Sequence, residues 1–271
     1  MTIETATDEY NRKRRSSISI TLSVWNALFL REAVSRLSTS RAAWAGLLLG
    51  PVIHITFMVV MFTFVRMRTM SGIDIAVWLI VGVLFYNLFK NTSQQVKNGL
   101  GANQALFTYR QVKPIDALLV RAAMEASLSI VIIIIISFGA TLFGIDLFPD
   151  DPLAVLIAFF GMWLMGLGWG LLCSVIFKLT PELGKVVDII TGPMYLLSGV
   201  ILPIAHMPPF IREWLVYIPM AHGLEAARLG ASSYYHAFPE LDIAYLYEFA
   251  LTTIFLGLGL HKRFARKLVT K

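Results

Sequence analysis

His222, Glu225 and Arg228 recur at a spacing of three. An imidazole, a carboxylate and a guanidinium could form an acid–base relay or part of a metal site. That spacing puts them on adjacent helical turns, however, where a structural ion-pair cluster accounts for them without any reaction. Other reactive groupings are sparse. Gly184-Lys185 is followed by Val186, not Ser or Thr, so no phosphate loop is encoded. His-Glu-x-x-His, Gly-x-Ser-x-Gly and paired cysteines are all missing, and His206, His222 and His236 are too far apart to read as a ligand set. No metal site and no catalytic residue are expected. An ion-coupled carrier would need ionisable groups at mid-membrane, but the apolar runs are almost free of them. Asp188 and Glu125 lie near run ends, and Arg121 can pair with Glu125 at i,i+4. His54, just past Gly50-Pro51, is the exception and reads as a packing histidine. Cys173, the single cysteine, sits in the apolar run from Leu164 to Phe177 and reads the same way.

The elements that must carry these residues belong in a bilayer. Hydrophobic residues make up 57% of the 271 and charged ones 15%, more apolar surface than a soluble core can hide. The expected fold is an all-α membrane protein of six transmembrane helices, near residues 43–65, 73–89, 126–145, 153–177, 186–202 and 243–260. Gly192-Pro193 and Gly199 predict a kink in the fifth. The net charge of +6 follows topology, not one basic face, and argues against a nucleic-acid partner. Of the 23 Lys and Arg, all but Arg66, Arg68, Arg212 and Arg228 fall on the side shared by the two ends of the chain. Both termini are therefore expected in the cytoplasm, with residues 1–21 and 261–271 as basic tails. The apolar run does not follow Arg12-Lys13-Arg14-Arg15 at once, so no signal peptide is read.

Three segments within 22–260 are not expected to cross. Residues 22–38 place Leu22, Trp25, Phe29, Ala33 and Leu37 on one side of a helix, with Arg31 facing away and Glu32–Arg36 paired at the edge. That is an amphipathic helix in the interface, acting either as an anchor or as a platform for a partner. The connection from Lys90 to Arg121 predicts a short helix flanked by glycines and stopped by Pro114, which presents Phe107, Tyr109 and Arg110. Its alternative is a simple capping loop. Beyond the fifth run, 208–230 predicts two short re-entrant helices: one starts at Pro208-Pro209 and carries Trp214, and the second starts near Pro219 and carries His222, Glu225 and Arg228. Within the spans, Phe85, Tyr86, Trp163 and Tyr195 supply aromatic faces on which sugars can stack if they share a conduit. Otherwise they face lipid.

Ala102-Asn103-Gln104-Ala105-Leu106-Phe107-Thr108-Tyr109-Arg110-Gln111-Val112-Lys113-Pro114-Ile115-Asp116 resembles the signature Ala-Asn-Gln-x-Leu-Phe-x-Tyr-Arg-x-Val-Lys-Pro-Ile-Asp of type-2 ABC transporter permeases, within them the capsular polysaccharide export subunits of Gram-negative bacteria. Leu28-Phe29-Leu30-Arg31-Glu32 is similar to the start of that family. The run from Pro219 through His222, Glu225 and Arg228 is similar to its Asn-Pro-x-x-His-x-x-Glu-x-x-Arg, with Ile218 in place of the Asn. The resemblance implies a multi-pass inner-membrane subunit that pairs with a second copy of itself and with two cytoplasmic ATPase subunits. ATP and Mg would lie on those subunits, and this chain would hold no cofactor. Phe107, Tyr109, Arg110, Lys113, Pro114 and Asp116 would couple to the ATPase. Trp25, Phe29, Arg31 and Glu32 would belong to the interface helix. Trp214, Pro219, His222, Glu225 and Arg228 would form an outer gate. The cargo would be a lipid-linked acidic capsule polysaccharide handed to periplasmic and outer-membrane export proteins. Exporters of O-antigen, teichoic acid, drugs or lipids in the same superfamily, a secondary carrier and a glycan-processing enzyme are the alternatives.

Overall fold

Aspartate starts three of the long helices, its carboxylate accepting from backbone N–H groups that the first turn leaves unpaired. Asp74 caps α3 (Ile75–Ala102) at Ala76 N, 2.7 Å away. Asp151 caps α5 (Pro152–Leu179) at Leu153 N and Ala154 N, 3.1 and 3.0 Å. Asp242 caps α10 (Ile243–Arg263) at Ala244 N, 2.8 Å. The computed structural model describes residues 17–38, 41–64, 69–104, 107 and 112–269. Before α3 come α1 (Ser17–Ser38), α2 (Arg41–Phe64) and a hairpin of β1 (Thr69–Met70) and β2 (Ile73–Asp74), whose Ser71-Gly72 turn holds both residues at positive φ. Then follow α4 (Pro114–Leu142), α5, α6 (Pro181–Thr191), α7 (Met194–Leu197), α8 (Pro209–Leu215), α9 (Pro219–Ala231), α10 and α11 (Ala265–Val269).

Among the described residues, α3, α4, α5 and α10 are long and apolar enough to cross a membrane, and α2 contains the shorter apolar stretch Leu49–Phe62. Helix α5 is the hub, packed on α3, α9 and α10, while α4 lies on α3 and keeps Ile134 and Phe138 exposed. Small residues make the α3–α5 contact possible. A Cβ on Gly166 would stand 2.8 Å from Phe89 O, and one on Gly170 2.8 Å from Ser93 O. Gly166→Leu should therefore force the two helices apart and destabilise the fold by about 1 to 3 kcal/mol, read as a lower melting temperature of the purified protein.

Several sequence expectations are corrected. The second apolar run is a helix from 75, not 73, because residues 73–74 pair in the hairpin. It continues past 89 to Ala102, its polar half buried on Leu167 and Leu171 through Val96 and Leu100. The run 186–202 is not one helix. Pro193 lacks an N–H and Gly199 turns left-handed (φ 84), so the chain breaks into α6, α7 and a turn. Pro114 starts α4, its preset φ favouring the first turn, and the short helix expected before it falls largely outside the described residues. Helix α1 begins at Ser17 and so takes in the last five residues of the expected tail. Within the expected basic tail the described residues 261–269 are helical and partly packed: His261 is buried, and Leu268 packs into the cluster of Leu118, Leu171 and Val175.

Candidate functional site

Two polar centres sit at opposite ends of the helices. At the end where α3, α5 and α10 begin, α9 is buried along most of its length, including Pro219, His222, Glu225 and Arg228. Arg228 is fully buried, and its guanidinium donates to Glu225 Oε1 (3.1 Å), Gly199 O (2.9 Å), Val200 O (3.2 Å) and Trp78 O (3.3 Å), lying 3.8 Å from the centre of the Trp78 ring. One side chain thus satisfies carbonyls that the broken run after α7 leaves free. Gly82 makes room for it, since a Cβ there would meet Arg228 Nη2 at 2.3 Å. The Tyr235 hydroxyl donates to Glu225, 2.9 Å from each oxygen. Burial pushes that phenol well above its usual range, so it stays a donor.

His222 does not join this pair. Its Nδ1 accepts from Asp242 N (3.0 Å) and its Nε2 donates to Val216 O (2.7 Å), with Phe238 and Tyr245 edge-on to the ring. Both nitrogens are therefore committed, Nδ1 joining α9 to the start of α10 and Nε2 joining it to the end of α8. Trp214 lies apart on α8 and is exposed. Nearby, backbone and side-chain hydrogen bonds from Ser233 hold the Asp150 carboxyl below its ordinary value of 3.8, the backbone N–H being 2.7 Å away. Because the folded value is depressed, the tie is present above 3.8 and fades as pH falls through the lower folded value. The protection factor of the Ser233 amide, its exchange rate compared with that of a free amide at the same pH, should fall only in that acid window.

At the opposite end α1 lies across the start of α4 and the end of α3. Trp25 Nε1 donates to Asp116 Oδ1 (3.0 Å), Arg31 to Asn103 Oδ1, and Arg121 to Glu32 Oε1 (3.2 Å), while Arg36 bridges Glu32 (3.2 Å) and Glu125. The docked face of α1 thus carries Leu28, Glu32 and Arg36 with half-buried Phe29. Leu22, Leu30 and Val34 are exposed, so of the apolar stripe read from the sequence Trp25 and Phe29 turn toward the docked side and Leu22 does not. Arg31 does not face away, and the expected local pair Arg121–Glu125 gives way to two pairs reaching α1. Phe107 is half-buried against the Leu118 cluster, Lys113 is exposed, and Pro114 opens α4. Tyr109 and Arg110 lie outside the described residues.

The four conduit aromatics divide. Tyr86 and Tyr195 meet at 5.0 Å between ring centres, beside a cavity of about 260 Å³ that Trp169, Ser93, Gln94 and Lys97 also line. Phe85 packs edge-on to Phe159 in the core, and Trp163 donates to Ala122 O at 2.8 Å, so neither shares that cavity. Sequence reasoning passed over Lys97, which pairs with Asp188 at 2.8 Å, and the run Asn87, Asn91, Gln95, whose i,i+4,i+8 spacing was readable as one polar face.

An α-helical assembly with transmembrane-length helices, one short buried helix at one end and a helix strapped across the other by ion pairs defines a polytopic membrane domain. Residues 104–231 match the ABC-2 type transporter family. It is 29% identical over 248 residues to the polysialic acid transport protein KpsM of Escherichia coli, covering 92% of this chain and 96% of KpsM. To the capsule polysaccharide export inner-membrane protein CtrC of Neisseria meningitidis it is 29% identical over 215 residues, covering 79% and 81%. To BexB of Haemophilus influenzae, named likewise, it is 26% identical over 253 residues, covering 93% and 95%.

Proposed function

We propose that this chain is the inner-membrane subunit of an ATP-driven exporter of capsular polysaccharide. The observation that carries the reading is full-length similarity to relatives named for that transport, together with the ABC-2 match. In this reading the chain spans six times with both termini cytoplasmic, α6 and α7 together forming an interrupted fifth crossing, and α8 and α9 dipping in from outside. Two copies enclose the path, two cytoplasmic ATPase subunits hold ATP and Mg, and periplasmic and outer-membrane proteins receive a lipid-linked acidic glycan.

The work is mechanical. ATP binding closes the ATPase subunits, the segment from Phe107 to Asp116 moves with them, and α1 and α4, tied through Trp25–Asp116 and Glu32–Arg121, follow as one lever. The energy for opening comes from tighter engagement of the partner with one of the two states. Tyr86 and Tyr195 offer stacking faces to sugar rings, and the buried α9 with Arg228 seals the outer end. Deleting the gene should abolish surface capsule and leave polymer in the cytoplasm, and the chain should co-purify with an ATPase subunit. Normal capsule in the deletion strain overturns the reading. Replacing Tyr109 and Arg110 with alanine should leave membrane insertion intact while ATP hydrolysis no longer drives export, and unchanged export would remove the coupling assignment.

A further inference from the structure

A cavity of about 390 Å³ opens among α1, α2, α3 and α4, and its lining is polar although it lies beside apolar runs: Asn87, Asn91 and Gln95 from α3, His54 from α2, Ser129 and Glu125 from α4, and Arg36 from α1, which pairs with Glu125. No side-chain hydrogen bond is found for Asn87 or Asn91 among the described residues, and Arg36 Nη2 is buried without a partner there. Unpaired amides at membrane depth cost several kcal/mol unless something fills their valences. The surrounding charges, Arg31, Arg36 and Arg121 against Glu32 and Glu125, leave the corner net positive.

A second cavity of about 420 Å³ follows along α2, α3 and α4 toward the other end, and its lining is almost wholly apolar, with Val59, Ile80, Ile136 and Ala140. On α4 the wall runs from Ser129 to Ile136 and Ala140, on α2 from His54 to Val59, and on α3 from Gln95 back to Ile80. From Gln95 to Ile80 is about 22 Å at helical rise. One leaflet of a bilayer with its headgroups is about 20 to 22 Å thick. An occupant that matches both chambers is polar for about half of its length, apolar beyond, and carries negative charge at the polar end.

We infer that this seam seats one anionic phospholipid of the inner leaflet, its phosphate beside Arg36, its headgroup hydroxyls and ester oxygens on Asn91, Gln95 and Ser129, and an acyl chain along Ile136 and Ala140. The lipid acts as a structural ligand of α2, which otherwise touches α4 only sparsely. The inference does not depend on which cargo is moved.

The full chain, purified in detergent from a host that makes no capsule polymer, is mixed with dioleoyl phosphatidylglycerol or dioleoyl phosphatidylcholine and examined by native mass spectrometry. One phosphatidylglycerol per chain should be retained, about tenfold more firmly than phosphatidylcholine, since the two differ only in headgroup. Asn91→Leu removes the headgroup contact, and Gly139→Leu fills the apolar chamber, where a Cβ meets nothing within 4 Å. Each should lower retention about tenfold without lowering the melting temperature of the lipid-free protein. Equal retention of both lipids, or retention that neither substitution changes, overturns the proposal. So does lipid found only on protein from polymer-producing cells, because the occupant is then the anchor of the cargo.

Discussion

Arg228→Met should remove most folded protein from the membrane, with a loss of about 3 to 5 kcal/mol, the range for breaking one side of a buried ion pair. The guanidinium is fully buried and serves three backbone carbonyls as well as Glu225. Methionine matches its length but donates nothing, so Gly199, Val200 and Trp78 lose a donor and Glu225 keeps a charge with only Tyr235 against it. The double variant Arg228→Met/Glu225→Gln should recover part of the loss, because the stranded carboxylate goes with its partner. Arg228→Lys should fall between, keeping the charge but not the planar fork that reaches several carbonyls at once. Thermal unfolding in detergent reads all three. A melting temperature of Arg228→Met equal to that of the parent would show that the network holds nothing together.

The second large effect is expected at the other end. Arg121→Glu places a carboxylate against Glu32, which Arg121 now meets at 3.2 Å, and should release α1 from α4. If α1 and α4 move as one lever, the complex should still hydrolyse ATP while export fails. The exchange Glu32→Arg/Arg121→Glu restores opposite charge and should recover much of the export, with a coupling energy of about 1 to 3 kcal/mol across the cycle. Recovery separates a positional pair from a residue whose own identity is needed. No recovery, with α1 shown to be docked by cross-linking through Trp25→Cys and Asp116→Cys, would remove the lever.

How far the sequence could be read depended on where each constraint resides. The interruption at Gly192-Pro193 is decided within a few residues of chain and was legible, while the aspartate caps and the helix start at Pro114, equally local, were passed over. The long apolar runs are equally legible, since a bilayer demands a stretch of given length and composition whatever its neighbours are. The reading failed where two partners compete. Arg121 has Glu125 one turn away, but in the structure Glu125 turns to Arg36 and Arg121 to Glu32, each 89 positions distant. Helix α1 brings these partners into a partly desolvated corner where their attraction is stronger than across an exposed turn.

By itself, then, the chain's composition and local spacing determined that it is a helical membrane protein, where most helices start and break, and which family motif it carries. The tertiary structure alone decided that Glu225 pairs with Arg228 while His222 serves α10, that Tyr86 meets Tyr195 without Phe85 or Trp163, and that three helices enclose a seam polar at one end and apolar at the other. The reason is physical. A helix's own turns fix which residues share a face, but only the packing of separate helices fixes what that face meets and how far it is removed from water.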